Sequence, residues 1–138
     1  MTYQTIGEAL ELNTKLESPY DLMNLARQGL YKSALVSLAQ LLELSTKDLV
    51  QYLHISERTL QRYDQKKKLS PELSDRLIQL AKVYARTIEV FEEQDKAIKW
   101  LKYPSHALGG ITPLSCLDNF SGVELILDEL GRIEYGVY

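Results

Sequence analysis

The stretch from Thr46 to Lys68, TKDLVQYLHISERTLQRYDQKKK, decides the fold of this chain. Apolar residues recur at helical spacing from Leu49 to Leu53, and Ser56 can cap a second short helix after a break at His54. Two short helices joined by a tight turn predict a helix-turn-helix, whose second helix enters the major groove of DNA. The turn residue often has a positive φ, which glycine adopts most easily, so His54 is an unusual choice there.

The second helix and the segment after it carry polar and basic side chains on their outer side. In the helix-turn-helix geometry these side chains face base edges and the phosphate backbone. Glu57 shares this surface and would repel phosphate. An ordinary helical hairpin with solvated basic residues is the alternative interpretation. The residues predicted to bind DNA are Ser56, Arg58, Thr59, Gln61, Arg62, Lys66, Lys67 and Lys68.

The distribution of charge supports the DNA-binding prediction, although the net charge of the 138-residue chain is −3. Residues 1–46 hold five acidic and three basic residues, and residues 87–138 hold nine acidic and four basic ones. Residues 47–86 hold five acidic and nine basic residues, a net charge of +4. Positive charge therefore collects on the stretch that resembles a DNA reader, whereas the acidic C-terminal third is expected to stay off DNA.

Helical patterns dominate the rest of the chain, and no alternating strand pattern is sustained, so we predict an all-α fold. Residues 1–17 give only a weak signal and are expected to be weakly ordered. A helix should begin at Ser18-Pro19 and end at Gly29, and the longest helix should begin at Ser70-Pro71. We predict a helix-turn-helix domain over residues 18–83 and a second helical domain over residues 84–138.

The last quarter of the chain combines a glycine-containing loop, a final helix and an apolar tail. Residues 105–112, SHALGGIT, are the clearest break between helices. Ser121 and Glu124 fit a capping box at the start of the final helix, and Gly131 is expected to end it. The remaining RIEYGVY is predicted to be an extended tail, which docks either on its own domain or on another protein.

Several function classes are disfavoured by composition and spacing. The single Cys116 excludes an internal disulfide, and the two histidines lack partners at metal-ligand spacing. Gly109-Gly110 lacks the preceding strand and following lysine of a phosphate-binding loop. No residues assemble a nucleophile with a base, so we predict a non-enzyme without cofactor, metal or small-molecule substrate. The absence of a long apolar run or signal-peptide pattern predicts a soluble, cytoplasmic protein without membrane contact.

Three segments together resemble the antitoxin family called Xre/MbcA/ParS. They are KLSPELSDRLIQLAKVYARTIEVFEEQDKAIKWL, PSHALGGITPLSCL and LGRIEYGVY, and the similarity extends over about residues 29–138. The resemblance implies an Xre-like helix-turn-helix followed by a small toxin-binding domain. It further implies a type II toxin–antitoxin system whose partner is a RES-type toxin that consumes NAD or ADP-ribosylates a target. The antitoxin would close the toxin's active site and repress its own operon.

The resemblance also assigns residues to toxin binding by position. Arg132 and Glu134 are expected to form charged hydrogen bonds in the toxin's cleft, with Ile133 and Tyr135 as apolar anchors. Glu92 stands where the family commonly has glycine, and the long helix is expected to run somewhat further here. The full predicted set comprises Leu108, Gly109, Gly110, Pro113, Leu114, Gly131, Arg132, Ile133, Glu134, Tyr135 and Gly136.

Two other functions remain open from the sequence. One is a transcriptional regulator that works without a toxin, and the other is a protein-interaction module that does not bind DNA. Both leave the apolar tail without a role. For a repressor that reads paired half-sites of operator DNA, a homodimer is expected, assembled into a larger complex with the toxin.

Overall fold

The computed structural model describes residues 2–136, and within that range all regular structure is helical, as the sequence predicted. One isolated antiparallel bridge joins Tyr31 to Lys68. Two single 3-10 turns, His106–Leu108 and Leu114–Cys116, lie between the last two α-helices. The α-helices are α1 (Thr2–Ala9), α2 (Pro19–Gln28), α3 (Lys32–Leu41), α4 (Thr46–Tyr52), α5 (Glu57–Arg62), α6 (Pro71–Phe91), α7 (Gln94–Lys102) and α8 (Phe120–Tyr135).

Helix α6 is the central element, and α1, α2, α7 and α8 all pack against it. Its buried residues surround more than one face, and Leu77, Ala81 and Val83 are completely buried. A helix that is apolar on most sides belongs inside a core rather than at its edge. The same helix therefore packs against helices that come before it and after it in the sequence.

Part of the N-terminal segment is helical and packed against the core, although residues 1–17 were expected to be weakly ordered. Helix α1 packs against α6 and α3 and buries Ile6 and Ala9, while Leu10 is buried just after it. The sequence pattern underestimated this helix because it has only eight residues, and short helices depend on tertiary packing more than on their own propensity.

Helix α6 ends at Phe91 and does not continue through Glu92, so the expected extension is wrong. Glu92 adopts the left-handed conformation with φ of 64°, and its amide donates to the carbonyl oxygen of Ile88. A left-handed residue directly after a helix satisfies the last carbonyl groups and turns the chain away. Glutamate thus takes the conformation that glycine usually supplies, at a cost in backbone strain.

Helix α8 begins and ends differently from the prediction. Asn119, not Ser121, is its N-cap, because the Asn119 side chain accepts a hydrogen bond of 2.9 Å from the Gly122 amide. The helix continues through Gly131 and ends at Tyr135, where Gly136 takes the left-handed conformation with φ of 66°. The extended tail is therefore wrong for residues 132–135, and residues 137–138 lie outside the described range.

Candidate DNA and partner interfaces

The predicted helix-turn-helix consists of α4 and α5. Leu49 and Leu53 are completely buried, and Leu60 of α5 packs into the same core. Ser56 caps α5 by accepting a hydrogen bond of 3.0 Å from the Thr59 amide. His54, in the turn, has the positive φ of 58° that its position requires. The two short helices are thus held with one side of α5 facing outward.

His54 also joins the turn to the C-terminal part of the chain. Its Nε2 lies within hydrogen-bonding distance of the carbonyl oxygen of Asp118, which can only accept, so the nitrogen is the donor. The guanidinium of Arg76 donates to the Leu53 carbonyl over 3.0 Å at the end of α4. Glycine at position 54 would relieve the backbone strain of the positive φ, but it would lose the hydrogen bond to Asp118. His54 therefore has a structural role in the turn.

All eight residues predicted to bind DNA are solvent-exposed. The hydroxyls of Ser56 and Thr59 lie 2.9 Å apart and are used in capping α5. Arg58 and Arg62 form no ion pair with any residue in the range 2–136, so their guanidinium groups are available to an anionic partner. Of the eight predicted residues, Thr59, Arg62, Lys67 and Lys68 line one shared groove.

The chain that follows α5 is fixed to the loop before α3. The Leu69 amide donates to the Leu30 carbonyl over 2.7 Å, and the Leu30 amide donates to the Ser74 hydroxyl over 2.9 Å. Gly29 has φ of 89°, and a Cβ there would stand 2.6 Å from the Leu69 oxygen. Lys68 lies 5.7 Å from the centre of the Tyr31 ring, a cation–π distance. The basic run is thereby held beside α5.

A shallow groove of about 330 Å³ lies between α5 and the basic run. Three cationic side chains line it, a composition that suits a DNA phosphate more than an uncharged ligand. One acid is also present, and its carboxylate accepts a hydrogen bond of 2.9 Å from the Lys66 amide. The lining residues are Thr59, Arg62, Tyr63, Asp64, Lys67 and Lys68.

The loop after α7 is closed by its own backbone. The Ser105 amide donates to the Ile111 carbonyl over 2.8 Å, and the Gly110 amide donates to the Ser105 carbonyl over 2.8 Å. Gly109 and Gly110 both have positive φ values and are exposed. Ile111 and Tyr103 project from this loop with 49% and 59% of their surfaces exposed. The residues predicted from the sequence to bind a toxin did not include these two. Their large apolar side chains beside a glycine pair could have indicated them.

The other predicted loop residues contribute to the chain's own core. Pro113 and Leu114 are buried, and Leu108 is partly buried against the core. Their side chains support the loop from beneath and leave the glycine pair on the surface. A partner that approaches the folded chain meets Gly109 and Gly110 but not Leu114.

The end of α8 presents an exposed aromatic side chain between two ion pairs. Tyr135 is 75% exposed. Arg132 donates through Nε to the Glu129 carboxylate over 3.0 Å, and both oxygens of Glu134 accept from Arg86 over 2.7 and 2.9 Å. The hydrogen bonds from Arg86 lower the pKa of Glu134. Both charged residues that were predicted to contact a toxin are thus already paired within the chain.

The loop and the end of α8 occupy separate parts of the surface. Gly122, near the start of α8, packs directly on Cys116, which follows the loop closely. Glu134 lies twelve residues further along, about 18 Å at the rise of an α-helix. A single partner that touches both groups must therefore extend along α8.

Neither a metal site nor a membrane-spanning helix is found among residues 2–136. No three histidine, cysteine or acidic side chains there are grouped so that they could hold a metal ion. No helix in that range combines the length and apolar character needed to cross a membrane.

Comparison with known proteins agrees with this two-part organisation. Residues 21–82 match the model of the antitoxin Xre-like helix-turn-helix domain. Residues 86–136 match the model of the antitoxin Xre/MbcA/ParS C-terminal toxin-binding domain. The division between residues 83 and 84 predicted from the sequence falls in the short gap between these two matches.

Individual relatives carry antitoxin names. "Antitoxin Xre" of Photorhabdus laumondii is 36% identical over 73 residues, which is 52% of this chain and 49% of the relative. "Antitoxin Xre" of Pseudomonas putida is 34% identical over 80 residues, 57% and 50% of the two chains. The "Prs ADP-ribosylating antitoxin" of Sphingobium is 26% identical over 131 residues, 88% and 82% of the two chains. The matches to the Xre relatives thus span about half of those proteins.

The exposed basic surface of α5 and the basic run lies within the first family match, and the loop and α8 lie within the second. Together the two matches cover nearly all of residues 21–136. The chain belongs to the Xre/MbcA/ParS antitoxin family, with an Xre-like helix-turn-helix domain followed by a C-terminal toxin-binding domain.

Proposed function

We propose that this chain neutralises a cognate RES-type toxin by covering its active site and represses its own operon through the helix-turn-helix. The toxin in this proposal consumes NAD or uses it to ADP-ribosylate a target, and the antitoxin itself is not an enzyme. One observation carries the proposal: the chain combines the exposed cationic surface of α5 and the basic run with an acidic toxin-binding domain. That domain ends in the exposed Tyr135. The name of the Sphingobium relative, "Prs ADP-ribosylating antitoxin", supports the toxin class.

The toxin-facing surface is centred on the end of α8. Tyr135 is the apolar anchor, with the half-buried Ile133 and the exposed Arg132 beside it. Large aromatic residues that enter a pocket dominate the energetics of many interfaces. Gly109 and Gly110 form a second contact, because the loop leaves their backbone accessible and flanks them with exposed apolar side chains. Leu108, Pro113 and Leu114 act indirectly by holding that loop in place.

The DNA-facing surface consists of α5 and the basic run. Arg58, Gln61 and Arg62 project from α5 towards base edges, and Lys66–Lys68 neutralise phosphates. A two-fold homodimer would place two such surfaces on paired half-sites of the operator. Binding to the promoter of its own operon also implies that the protein works in the cytoplasm.

The test uses the protein encoded by the reading frame adjacent to this gene. Its expression alone should arrest growth, and co-expression of this chain should restore growth. The variant Arg62→Ala is a control, because it should lose promoter binding in a gel-shift assay while still restoring growth. A harmless neighbour, or growth arrest that persists with this chain present, would contradict the antitoxin function and leave a regulator without a toxin.

A further inference from the structure

The contact between Arg86 and Glu134 connects the middle of the chain to the end of its last helix. The two guanidinium NH groups bind the two carboxylate oxygens over 2.7 and 2.9 Å, which is the bidentate geometry. The side chains are only 20% and 29% exposed. Both Glu134 oxygens are thus directed at Arg86, and the carboxylate is held against its own chain.

Arg86 is itself oriented by a second carboxylate. It also pairs with Glu89, one turn further along α6, and Glu89 accepts a hydrogen bond of 2.7 Å from the Thr2 hydroxyl. The network therefore includes α1, α6 and α8. Arg86 is held between two carboxylates, Glu89 on α6 and Glu134 on α8. Its guanidinium therefore has a fixed position, to which the end of α8 is bound.

The last turn of α8 needs such an attachment. Helix ends fray because their final carbonyl groups lack partners within the helix. Gly131 lies just before this turn, and glycine lowers the stability of a helix interior. Tyr135 is too exposed to hold the turn by packing. The pairing of Glu134 with Arg86 is the described interaction that fixes the turn from outside the helix.

We propose that Arg86 is a positioning residue for toxin binding: through Glu134 it keeps the last turn of α8 helical and so presents Tyr135. The inference rests on the proposed function, and it changes the role expected for Glu134 from a direct toxin contact to an internal one. A preformed turn binds more tightly because less conformational entropy is lost on association. If only the ordered turn binds, the apparent affinity falls in proportion to its population.

The test compares affinities for the purified protein of the adjacent reading frame. Arg86→Ala and Glu134→Gln should each weaken binding roughly fivefold, the upper range for a partly exposed ion pair. Glu124→Gln is the matched control, because it removes an exposed carboxylate from the same helix and should leave the affinity unchanged. The charge-reversed variant Arg86→Glu, Glu89→Gln and Glu134→Arg should recover most of the lost affinity, since it restores the pair without placing two acids side by side on α6.

Hydrogen exchange of the free protein provides the second readout. Amides of residues 133–136 should exchange faster in both single variants and regain protection in the charge-reversed one, with little change in melting temperature. Unchanged affinity in the single variants, or a charge-reversed variant that regains protection but not affinity, would overturn the inference. Failure of the wild-type chain to bind would instead contradict the proposed function itself.

Discussion

Two glycines of α8 provide the sharpest test of where that helix begins and how far it runs. A Cβ added at Gly122 would stand 1.7 Å from the Cys116 carbonyl oxygen and 2.8 Å from its carbon. Both atoms belong to the backbone, so neither can rotate away. A Cβ at Gly131 would meet no atom within 4 Å, although that residue is equally helical.

The two alanine variants should therefore change stability in opposite directions. Gly122→Ala forces the start of α8 away from Cys116, and overpacking of this severity costs about 3 kcal/mol. A loss of that size lowers the melting temperature of a domain of this length by roughly 10 °C. Gly131→Ala removes the entropic cost of glycine in a helix and should raise stability by about 0.5–1 kcal/mol.

Circular dichroism during thermal and urea unfolding measures both effects on otherwise identical proteins. Two results would contradict these bounds of α8. Unchanged stability of Gly122→Ala would mean that α8 does not start against Cys116. A destabilised Gly131→Ala would mean that Gly131 ends the helix, as its sequence context first suggested.

Three further predictions concern DNA binding by α5 and the basic run, the end of α6, and the pH dependence of the Arg86–Glu134 pair. Arg62→Ala should weaken DNA binding, and neutralising Lys66–Lys68 should lower the slope of log affinity against log salt by about three in titrations at several salt concentrations. Glu92→Gly should raise the free energy of unfolding by about 1 kcal/mol in urea titrations, because it removes left-handed strain, whereas Glu93→Gly, at φ of −131°, should not. The ion pair lowers the pKa of Glu134, so its stabilisation is present above the ordinary glutamate pKa and lost as pH falls through the lowered value. The difference in hydrogen-exchange protection of residues 133–136 between wild type and Glu134→Gln should accordingly vanish in acid.

The helix-turn-helix could be predicted because its signals are local. The spacing from Leu49 to Leu53, the cap at Ser56 and the basic run are all readable within one short stretch. The conformation expected at His54 was also correct, since the turn geometry requires a positive φ whichever residue is present. The choice of histidine depends on Asp118, 64 residues away, and no local pattern indicates that contact.

The end of the chain was harder to predict because distant contacts decide it. Gly131 is a reasonable helix stop by composition, but Gly136 supplies the left-handed residue that ends α8. From the sequence, Glu134 was expected to bind a toxin. In the structure it pairs with Arg86, which lies 48 residues earlier on α6. Burial of Leu114 likewise depends on packing rather than on the sequence of its loop. Which residues face outward is a property of the assembled core, and a local sequence pattern does not show it.

The most direct measurement of toxin binding by the end of α8 is the affinity of Tyr135→Ala for the purified product of the adjacent reading frame. Tyr20→Ala is the matched control, because Tyr20 is similarly exposed, at 67% against 75%, but lies on α2. An anchor that enters the toxin's cleft is worth at least about 2 kcal/mol, so binding should weaken roughly thirtyfold or more for Tyr135→Ala and remain unchanged for Tyr20→Ala. Equal affinities for both variants and the wild-type chain would contradict the claim that the end of α8 closes the toxin's active site.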